Sequence, residues 1–269
     1  MPPKLLALDL DGTLLRADHS VDPRDQAAIA ELQAAGVTVT IVTGRLLTGS
    51  LDAARICNIE GAIACVEGSH VFDLARAATL AHHPLAQAAV AGVRAQIDHH
   101  GLTSFVFDAD GIHHDHAGAP FAHYVRTWSP KLRVVEEDDA WSTAALGAVA
   151  IGDAGAVAQA AAALRDRRDL FVANFAVSTV PGKHALLVRA LGPTKGTALA
   201  ELCAVAGCTV DDAVAVGDWL NDVPMFEVAG RSFAMANAPD AVRAAATDGL
   251  SQAAGAGGGV AEAIRRAWG

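Results

Sequence analysis

The sequence predicts an α/β protein in which a parallel β-sheet, with helices on both faces, is interrupted by an inserted α+β domain. Two observations support this prediction. Short apolar segments alternate with helical segments near both ends of the 269-residue chain, which is typical of a doubly wound parallel sheet. The middle of the chain instead mixes hairpins with helices, as expected of an α+β insert.

The first part of the chain predicts a strand–helix–strand–helix–strand unit. Asp22 and Pro23 suit the start of its first helix, because Asp caps free backbone N–H groups and Pro is tolerated in the first turn. Gly36 suits the end of that helix. The predicted elements are a strand at 5–10, a helix at 22–35, a strand at 37–42, a helix at 46–56 and a strand at 62–66.

The insert is expected over residues 84–183, and the core over residues 1–83 plus 184–269. Within the insert, the sequence predicts helices at 85–99, 119–127 and 155–165, a hairpin at 102–116, and strands at 131–136, 145–151 and 170–180. The parallel pattern then resumes with strands at 185–190, 213–217 and 232–236 and helices at 195–206 and 260–267.

The composition argues against nucleic-acid and membrane binding. The chain is 52% hydrophobic and has a formal net charge of −10, so it lacks the basic excess that nucleic acids or anionic lipids require. The first apolar run is broken by Asp9 and is too short for a signal peptide, and no run of about 20 uncharged apolar residues follows. We therefore expect a cytoplasmic protein whose four cysteines are reduced, mostly buried thiols.

Three short polar motifs each follow an apolar strand directly. They are Asp-Leu-Asp-Gly-Thr at 9–13, Thr-Gly-Arg at 43–45 and Gly-Asp-Trp-Leu-Asn-Asp at 217–222. Ligands of open parallel sheets bind at the carboxyl ends of the strands. The three motifs are therefore expected to converge at one site.

The acidic residues of the first and third motifs predict a Mg²⁺ site. In an extended segment, Asp9 and Asp11 project from the same side, and such carboxylates repel unless a cation lies between them. Asp218, Asn221 and Asp222 add oxygen ligands at a second strand end, and Mg²⁺ prefers oxygen. The alternative is that Asp9 and Asp11 only form a turn and cap the next element. The second acidic motif disfavours it.

Thr43 and Lys195 are candidates for binding an anion. The Thr43 hydroxyl and the Gly44 backbone N–H precede a predicted helix, where backbone donors collect anions. Thr43 also suits the cap of that helix, and the two roles are compatible. Lys195 opens a helix, where a cation opposes the helix dipole. A solvated surface lysine is the alternative, but a phosphoryl group among several acids needs a compensating cation.

These residues resemble the motifs of the haloacid dehalogenase (HAD) superfamily. The resemblance lies in DLDGT at 9–13, Thr43, Lys195 and GDWLND at 217–222, and in the segment SFAMANAPDAVRAAAT at 232–247. The insert between the second and third motifs resembles the C2-type cap domain of the Cof-type (IIB) subfamily. The resemblance implies a Rossmann-like core and a Mg²⁺-dependent phosphatase acting on a small phosphomonoester, such as a sugar phosphate or a phosphorylated cofactor.

The resemblance also implies a role for each motif residue. Asp9 would be the nucleophile that forms an aspartyl-phosphate, and Asp11 would be the general acid and base. Mg²⁺ would be held by Asp9, the Asp11 main-chain carbonyl and Asp218, with Asn221 and Asp222 orienting Lys195 and the metal-bound waters. Thr43 and Lys195 would hold the phosphoryl oxygens. The further residues expected to bind phosphate or substrate are Gly12, Gly44, Arg45 and Asn221.

Two stretches do not follow from the resemblance. Many relatives carry Asn-Gly after the third strand, whereas this chain has Glu67-Gly68, and a carboxylate cannot donate as an amide does. In the insert, the segment His113–His116 could be a metal cluster. Solvated hairpin polarity is the favoured interpretation, because alternate residues of a strand face opposite ways.

Two other functions compete with a phosphatase. A phosphomutase of the same superfamily would use the same Asp9 chemistry but return the phosphoryl group to a sugar. A receiver-like signalling domain would also combine strand-end acids, a Thr and a Lys around Mg²⁺; the second acid, Asp11, and the insert of about 100 residues argue against it. A monomer or weak dimer is expected.

Overall fold

The structure is a computed structural model that describes residues 2–142, 144–177 and 179–269. The chain divides into two compact units. The first contains Met1–Gly44, Ser50–Ala81 and Pro193–Gly269, and the second contains Arg45–Gly49 and His82–Gly192.

The strands are numbered in chain order. They are β1 (Leu5–Leu8), β2 (Thr38–Ile41), β3 (Ala62–Cys65), β4 (His70–Asp73), β5 (Ala78–His82), β6 (Thr103–Phe107), β7 (Ile112–His114), β8 (Leu132–Val134), β9 (Gly147–Asp153), β10 (Leu170–Ala176), β11 (Lys183–Ala190), β12 (Ala213–Gly217), β13 (Arg231–Ala234) and β14 (Asp248–Gly249).

The α-helices are numbered in the same way. They are α1 (Pro23–Ala34), α2 (Leu47–Ile56), α3 (Gln87–His99), α4 (Ala122–Val125), α5 (Glu137–Ala140), α6 (Ala154–Arg165), α7 (Lys195–Val205), α8 (Val223–Val228), α9 (Asp240–Ala245) and α10 (Gly259–Trp268).

The first unit is built on a five-stranded parallel sheet with the order β14-β13-β12-β1-β2. Strand β1 lies between β12 and β2 and pairs with both, with Leu5 opposite Ala213 and Thr38. Every residue of β1 and β12 is buried, as expected of parallel strands covered on both faces. The predicted α/β class is therefore confirmed, and the strands that precede the first and third motifs are neighbours.

Helix α1 begins at the cap that the sequence predicts, and α7 begins at a capping box that the structure adds. The Asp22 side chain accepts the Arg24 backbone N–H at 2.8 Å, and Pro23 is the first residue of α1. At α7, the Thr194 hydroxyl accepts the Thr197 backbone N–H at 3.1 Å, while Thr197 Oγ1 accepts the Thr194 N–H at 2.9 Å. This reciprocal capping box fixes the point where α7 starts, and therefore where its first residue lies.

Strand β3 was expected to be the third parallel strand of the strand–helix–strand–helix–strand unit, and its main pairing differs from this expectation. It forms an antiparallel hairpin with β4, in which Cys65 pairs with His70, and β3, β4 and β5 make a separate three-stranded sheet. Strand β3 still lies beside the end of β2, because Val42 forms a parallel bridge with Ala64 and the Thr40 hydroxyl donates to Ala62 O at 2.7 Å. The reason is the tight turn at 66–68, which reverses the chain directly after β3.

The second unit contains a six-stranded mixed sheet with the order β10-β11-β9-β6-β7-β8. Helices α3 and α6 share one hydrophobic core with this sheet, which contains Val93, Val106, Ala148, Leu164 and Leu186. The sheet is antiparallel except for the β7–β8 pair.

Strand β11 belongs to this second sheet, which differs from the sequence-based assignment of 185–190 to the parallel core. It pairs antiparallel with β9 and with β10, so the division between the units falls after Gly192 and not after residue 183. A short apolar strand has the same sequence pattern in a parallel sheet and in an antiparallel sheet, so only its partner strands show to which sheet it belongs. The predicted strand at 170–180 ends at Ala176, and residue 178 lies outside the described residues.

The interpretation of the 113–116 segment as solvated hairpin polarity was wrong for two of its histidines. His113 and His114 are 6% and 2% exposed. His113 Nε2 lies 2.8 Å from Asp108 Oδ2, and the His114 ring packs on Phe105 with ring centroids 5.2 Å apart. These contacts place one imidazole beside a carboxylate and the other against an aromatic ring inside the second unit. Strand β7 ends at His114, so the expected alternation stops there.

Among the helices of the described chain, none is both long enough and apolar enough to cross a membrane.

Candidate active site

The first motif begins immediately after β1. Strand β1 ends at Leu8, and the Asp9 backbone N–H continues toward β12 by donating to Val216 O at 3.0 Å. The Asp9 side chain is buried, whereas Asp11 is exposed. Strand β1 ends at Leu8 and the chain turns from residue 10, so Asp9 and Asp11 do not belong to one extended strand; that both side chains face the same side stays a prediction. The turn instead gives the two acids different environments.

Gly12 makes that turn possible and brings the first motif against the third. Its φ of +81° lies in the left-handed region that favours glycine. A Cβ on Gly12 would lie 2.4 Å from Asp218 Oδ2, so only a glycine leaves room for this carboxylate. The Thr13 hydroxyl donates to Asp218 Oδ1 at 3.4 Å. Residues 12 and 13 together form a cradle for Asp218.

Lys195, the first residue of α7, lies between two carboxylates. Its side chain has no exposed surface, and its Nζ is 2.5 Å from Asp9 Oδ1 and 2.6 Å from Asp222 Oδ1. A buried ammonium is tolerated only when opposite charges pair with it and accept its hydrogen bonds. The cation that opposes the α7 dipole is therefore compensated by two acids from elsewhere in the chain.

Asp222 holds the third motif in place. Its Oδ2 accepts the backbone N–H groups of Asp218 at 2.9 Å and of Trp219 at 3.0 Å, while its Oδ1 accepts from Lys195. Both oxygens of this fully buried carboxylate are therefore engaged within the protein. The arrangement suits a residue that positions Lys195 and the loop rather than one that gives its oxygens to a metal ion.

The charges of the cluster perturb one another strongly. Burial raises the pKa of Asp9 well above its ordinary value; Lys195 opposes this effect, and Asp222 and Asp218 add to it. Burial, reinforced by Asp222, raises the pKa of Asp218 to about 6. For Lys195, burial disfavours the charge, but attraction by Asp222, Asp9 and Glu67 outweighs it and raises the pKa above the ordinary value.

These residues fit a hard divalent cation. Carboxylate oxygens of Asp9, Asp218 and Asp222 all lie within 4.8 Å of one another. These three acids outnumber the Lys195 ammonium that contacts two of them, so the cluster has an excess of negative charge. An all-oxygen donor set is what Mg²⁺ and similar ions prefer. The cluster is thus a candidate metal centre at the carboxyl ends of β1 and β12.

The second motif joins the site through the turn at 66–68. The Thr43 backbone N–H donates to Ala64 O at 2.9 Å, and Thr43 O accepts the Glu67 backbone N–H at 3.0 Å. A Cβ on Gly44 would lie 2.5 Å from Glu67 Oε1. Glu67 Oε1 also accepts the Asn221 Nδ2 amide at 2.8 Å, which ties the second motif to the third.

Arg45 belongs to the other unit of the chain. It begins the segment Arg45–Gly49, and its Nη1 donates to Gly49 O at 3.3 Å. Its side chain is largely buried. A contact of Arg45 with substrate stays a prediction.

Sequence reasoning missed Thr13 and left Glu67 without a role. Thr13 is 1% exposed and contacts Asp218, although it stands inside the quoted first motif. The sequence feature that could have indicated a role for Glu67 is Gly44, because the absence of a side chain at this position leaves space for the Glu67 carboxylate.

Comparison with known proteins agrees with this geometry. A family model described as haloacid dehalogenase-like hydrolase matches residues 6–264. The chain is 28% identical over 240 residues to a 5-amino-6-(5-phospho-D-ribitylamino)uracil phosphatase of Bacillus subtilis, covering 89% of this chain and 86% of that protein. It is 27% identical over 263 residues to a pyridoxal phosphate phosphatase of Escherichia coli, covering 91% and 92%.

Among solved structures, the fold is similar to that of a haloacid dehalogenase-like hydrolase from Bacteroides thetaiotaomicron. The TM-score is 0.86 with 23% sequence identity, over 98% of this chain and 99% of that chain. At this identity the likeness concerns the fold.

Proposed function

The chain belongs to the haloacid dehalogenase-like hydrolase family and is a phosphoric monoester hydrolase of its Cof type, and on this premise we propose a Mg²⁺-dependent phosphatase that works through an aspartyl-phosphate on Asp9. The observation that carries the proposal is the buried contact of Asp9 with Lys195, beside the acids of the third motif. Its substrate is a small phosphorylated metabolite, such as a sugar phosphate or a phosphorylated cofactor.

In the first step, a carboxylate oxygen of Asp9 attacks phosphorus and the bond from phosphorus to the leaving-group oxygen breaks. Asp11 donates a proton to that oxygen, so the leaving group departs as an alcohol. The exposure of Asp11 supports this role, because a group that exchanges protons needs access to substrate and water.

In the second step, Asp11 takes a proton from a water molecule whose oxygen attacks phosphorus. The bond between phosphorus and Asp9 breaks, inorganic phosphate is released, and Asp9 returns as a carboxylate. The proton that Asp11 gives in the first step is thus recovered in the second.

Lys195 opposes the effect of burial on the pKa of Asp9 and orients its carboxylate, and the Lys195 ammonium balances charge at the phosphoryl oxygens. Asp222 holds Lys195 from the other side. Thr43 and the Gly44 backbone N–H would bind phosphoryl oxygens, with Gly12 giving close access.

A Mg²⁺ ion, when bound, would supply charge stabilisation for the phosphoryl oxygens. Asp9, Asp218 and the Asp11 carbonyl would hold it, while Asp222 stays engaged with Lys195 and the loop backbone.

We also infer a cytoplasmic location. The four cysteines are all free thiols; Cys57, Cys65 and Cys203 are buried and Cys208 is partly buried. Reduced thiols in a protein that acts on phosphorylated metabolites suit a reducing compartment.

The proposal is tested by phosphate release from a panel of phosphomonoesters with Mg²⁺. The panel includes sugar phosphates and the two compounds named for the relatives, pyridoxal phosphate and 5-amino-6-(5-phospho-D-ribitylamino)uracil. We expect hydrolysis of at least one compound, and Asp9→Asn should lower its rate by at least about 10³-fold. Release of inorganic phosphate also distinguishes a phosphatase from a phosphomutase.

The matched control is Asp52→Asn, the same chemical change at a side chain that is 83% exposed on α2. This variant should retain the wild-type rate. Hydrolysis by Asp9→Asn at the wild-type rate would show that Asp9 is not the nucleophile. If the folded, Mg²⁺-bound wild type hydrolyses no compound of the panel, the phosphatase proposal itself is contradicted.

A further inference from the structure

Glu67 is held in an unusual backbone conformation next to the second motif. It lies in the turn between β3 and β4, with a φ of +57°, after Val66 with a φ of +49° and before Gly68 with a φ of +92°. Left-handed φ is rare for residues other than glycine and is a true outlier for a β-branched residue such as Val66. Such strain is concentrated at functional sites.

The neighbours of this turn show why it has so little freedom. The Glu67 backbone N–H donates to Thr43 O at 3.0 Å, and its carboxylate occupies the space that a side chain at Gly44 would fill. On the other side, a Cβ on Gly68 would lie 2.7 Å from Thr194 O, directly before α7. The turn is therefore fitted between the second motif and the residue that precedes Lys195.

The Glu67 carboxylate determines which way the Asn221 amide points. A carboxylate can only accept hydrogen bonds, so Asn221 must direct Nδ2 toward Glu67 Oε1, at 2.8 Å. Its Oδ1 then points away, and this buried atom has no hydrogen-bond partner among the described residues. A buried acceptor without a partner favours a donor or a cation beside it. An amide at position 67 would allow either orientation of Asn221.

Glu67 also adds negative charge to the cluster. Its carboxylate is one of the groups that act on Lys195 electrostatically, together with Asp222 and Asp9. In a desolvated site, one additional negative charge favours cations and disfavours anions.

We propose that Glu67 is a positioning residue that orients the Asn221 amide and adds charge, strengthening Mg²⁺ binding while weakening the binding of phosphate. The proposal rests on the proposed function, because it assumes that Mg²⁺ and a phosphoryl group share this site. The two ligands therefore respond to Glu67 in opposite directions.

The test is calorimetric titration of Glu67→Gln, which keeps the size of the side chain and an acceptor oxygen for Asn221 but removes the charge and the fixed polarity. With Mg²⁺ alone, we expect the dissociation constant to rise about tenfold. With inorganic phosphate at saturating Mg²⁺, we expect it to fall about threefold. Glu67→Asp keeps the charge and should bind phosphate as the wild type does.

The matched control is Glu60→Gln, the same change at an exposed residue in the same unit, which should alter neither constant. Weaker binding of both ligands by Glu67→Gln would indicate structural damage and overturn the proposal, as would no change in either. If the wild type itself binds neither Mg²⁺ nor phosphate, the proposed function fails; if the wild type binds both and Glu67→Gln behaves like it, only this inference fails.

Discussion

Lys195 Nζ lies 2.5 Å from Asp9 Oδ1, and the two side chains are 0% and 8% exposed. The residues are 186 positions apart in the chain, so this contact joins the end of β1 to the start of α7. A buried charge without a partner would strongly destabilise the fold. Asp222 also pairs with the Lys195 ammonium, which reduces the cost of burying it. The geometry presents Asp9 as an oriented carboxylate beside a fixed positive charge.

Replacing Lys195 with Met should destabilise the metal-free protein. The change leaves the carboxylates of Asp9 and Asp222 buried without their cation, and breaking a buried pair in this way costs about 3–5 kcal/mol. Urea denaturation in the presence of a chelator measures the loss in the free energy of unfolding. Addition of Mg²⁺ should recover part of it, because the metal supplies positive charge to the same cluster.

Lys4→Met is the matched control for that prediction. Lys4 pairs with Asp212 at 3.2 Å, but its side chain is 50% exposed, so the loss should stay within about 1 kcal/mol. Equal losses for the two variants would mean that the buried pair around Lys195 has no special role in stability.

Replacing Gly12 with Ala should weaken metal binding as well as stability. The left-handed φ of +81° costs an alanine about 1–2 kcal/mol, and the new Cβ would overlap Asp218 Oδ2 at 2.4 Å, which displaces that carboxylate. We expect the Mg²⁺ dissociation constant to rise at least about tenfold, measured by calorimetry on the folded variant.

Gly36→Ala separates the two effects. Gly36 has a similar φ of +87°, but no atom lies within 4 Å of the position its Cβ would take. This variant should lose a comparable amount of stability and bind Mg²⁺ as the wild type does. Weakened Mg²⁺ binding in Gly36→Ala would assign the effect at Gly12 to general destabilisation.

The stability of the metal-free protein should rise as the pH falls from about 6 to about 4. Burial raises the pKa of Asp218 to about 6, from an ordinary 3.8, so in this range the folded protein binds a proton that the unfolded chain does not. A carboxyl group with a raised pKa stabilises the fold below its unfolded pKa, and this contribution is lost as the pH rises through the folded pKa. Thermal or urea denaturation across this range measures the effect.

Asp218→Asn serves as the reference for this pH dependence. The difference in stability between the wild type and Asp218→Asn should follow the proton uptake, since the amide does not titrate. Mg²⁺ should reduce the slope for the wild type because the metal competes with the proton for the same carboxylate. A difference that does not change between pH 4 and pH 6 would show that Asp218 does not carry the raised pKa.

The sequence alone was sufficient for the α/β class and for the convergence of the first and third motifs. The apolar strands at 5–10 and 213–217 each lead directly into acids, and the structure confirms that these strands are parallel neighbours. Lys195 was also identified from the sequence, because a cation at a helix start breaks a local rule. These features are local, since strand periodicity and helix caps depend on residues a few positions apart.

Features that depend on residues distant in the sequence could not be predicted from local patterns. Strand β11 was assigned to the wrong sheet because its apolar pattern does not reveal whether β9 or a core strand lies beside it. His113 was expected to be solvated, but its contact with Asp108 and its burial come from the packing of the second unit.

By itself, the sequence determined which residues could carry the chemistry and at which strand ends they stand. Only the tertiary structure decided that Asp222 is saturated by Lys195 and two backbone N–H groups, whereas the Oδ2 of Asp218 faces Gly12. It likewise decided that Glu67 orients Asn221. The physical reason is that motif spacing places side chains at one edge of a sheet, but burial and hydrogen-bond partners from separate parts of the chain set the charge and direction of each group.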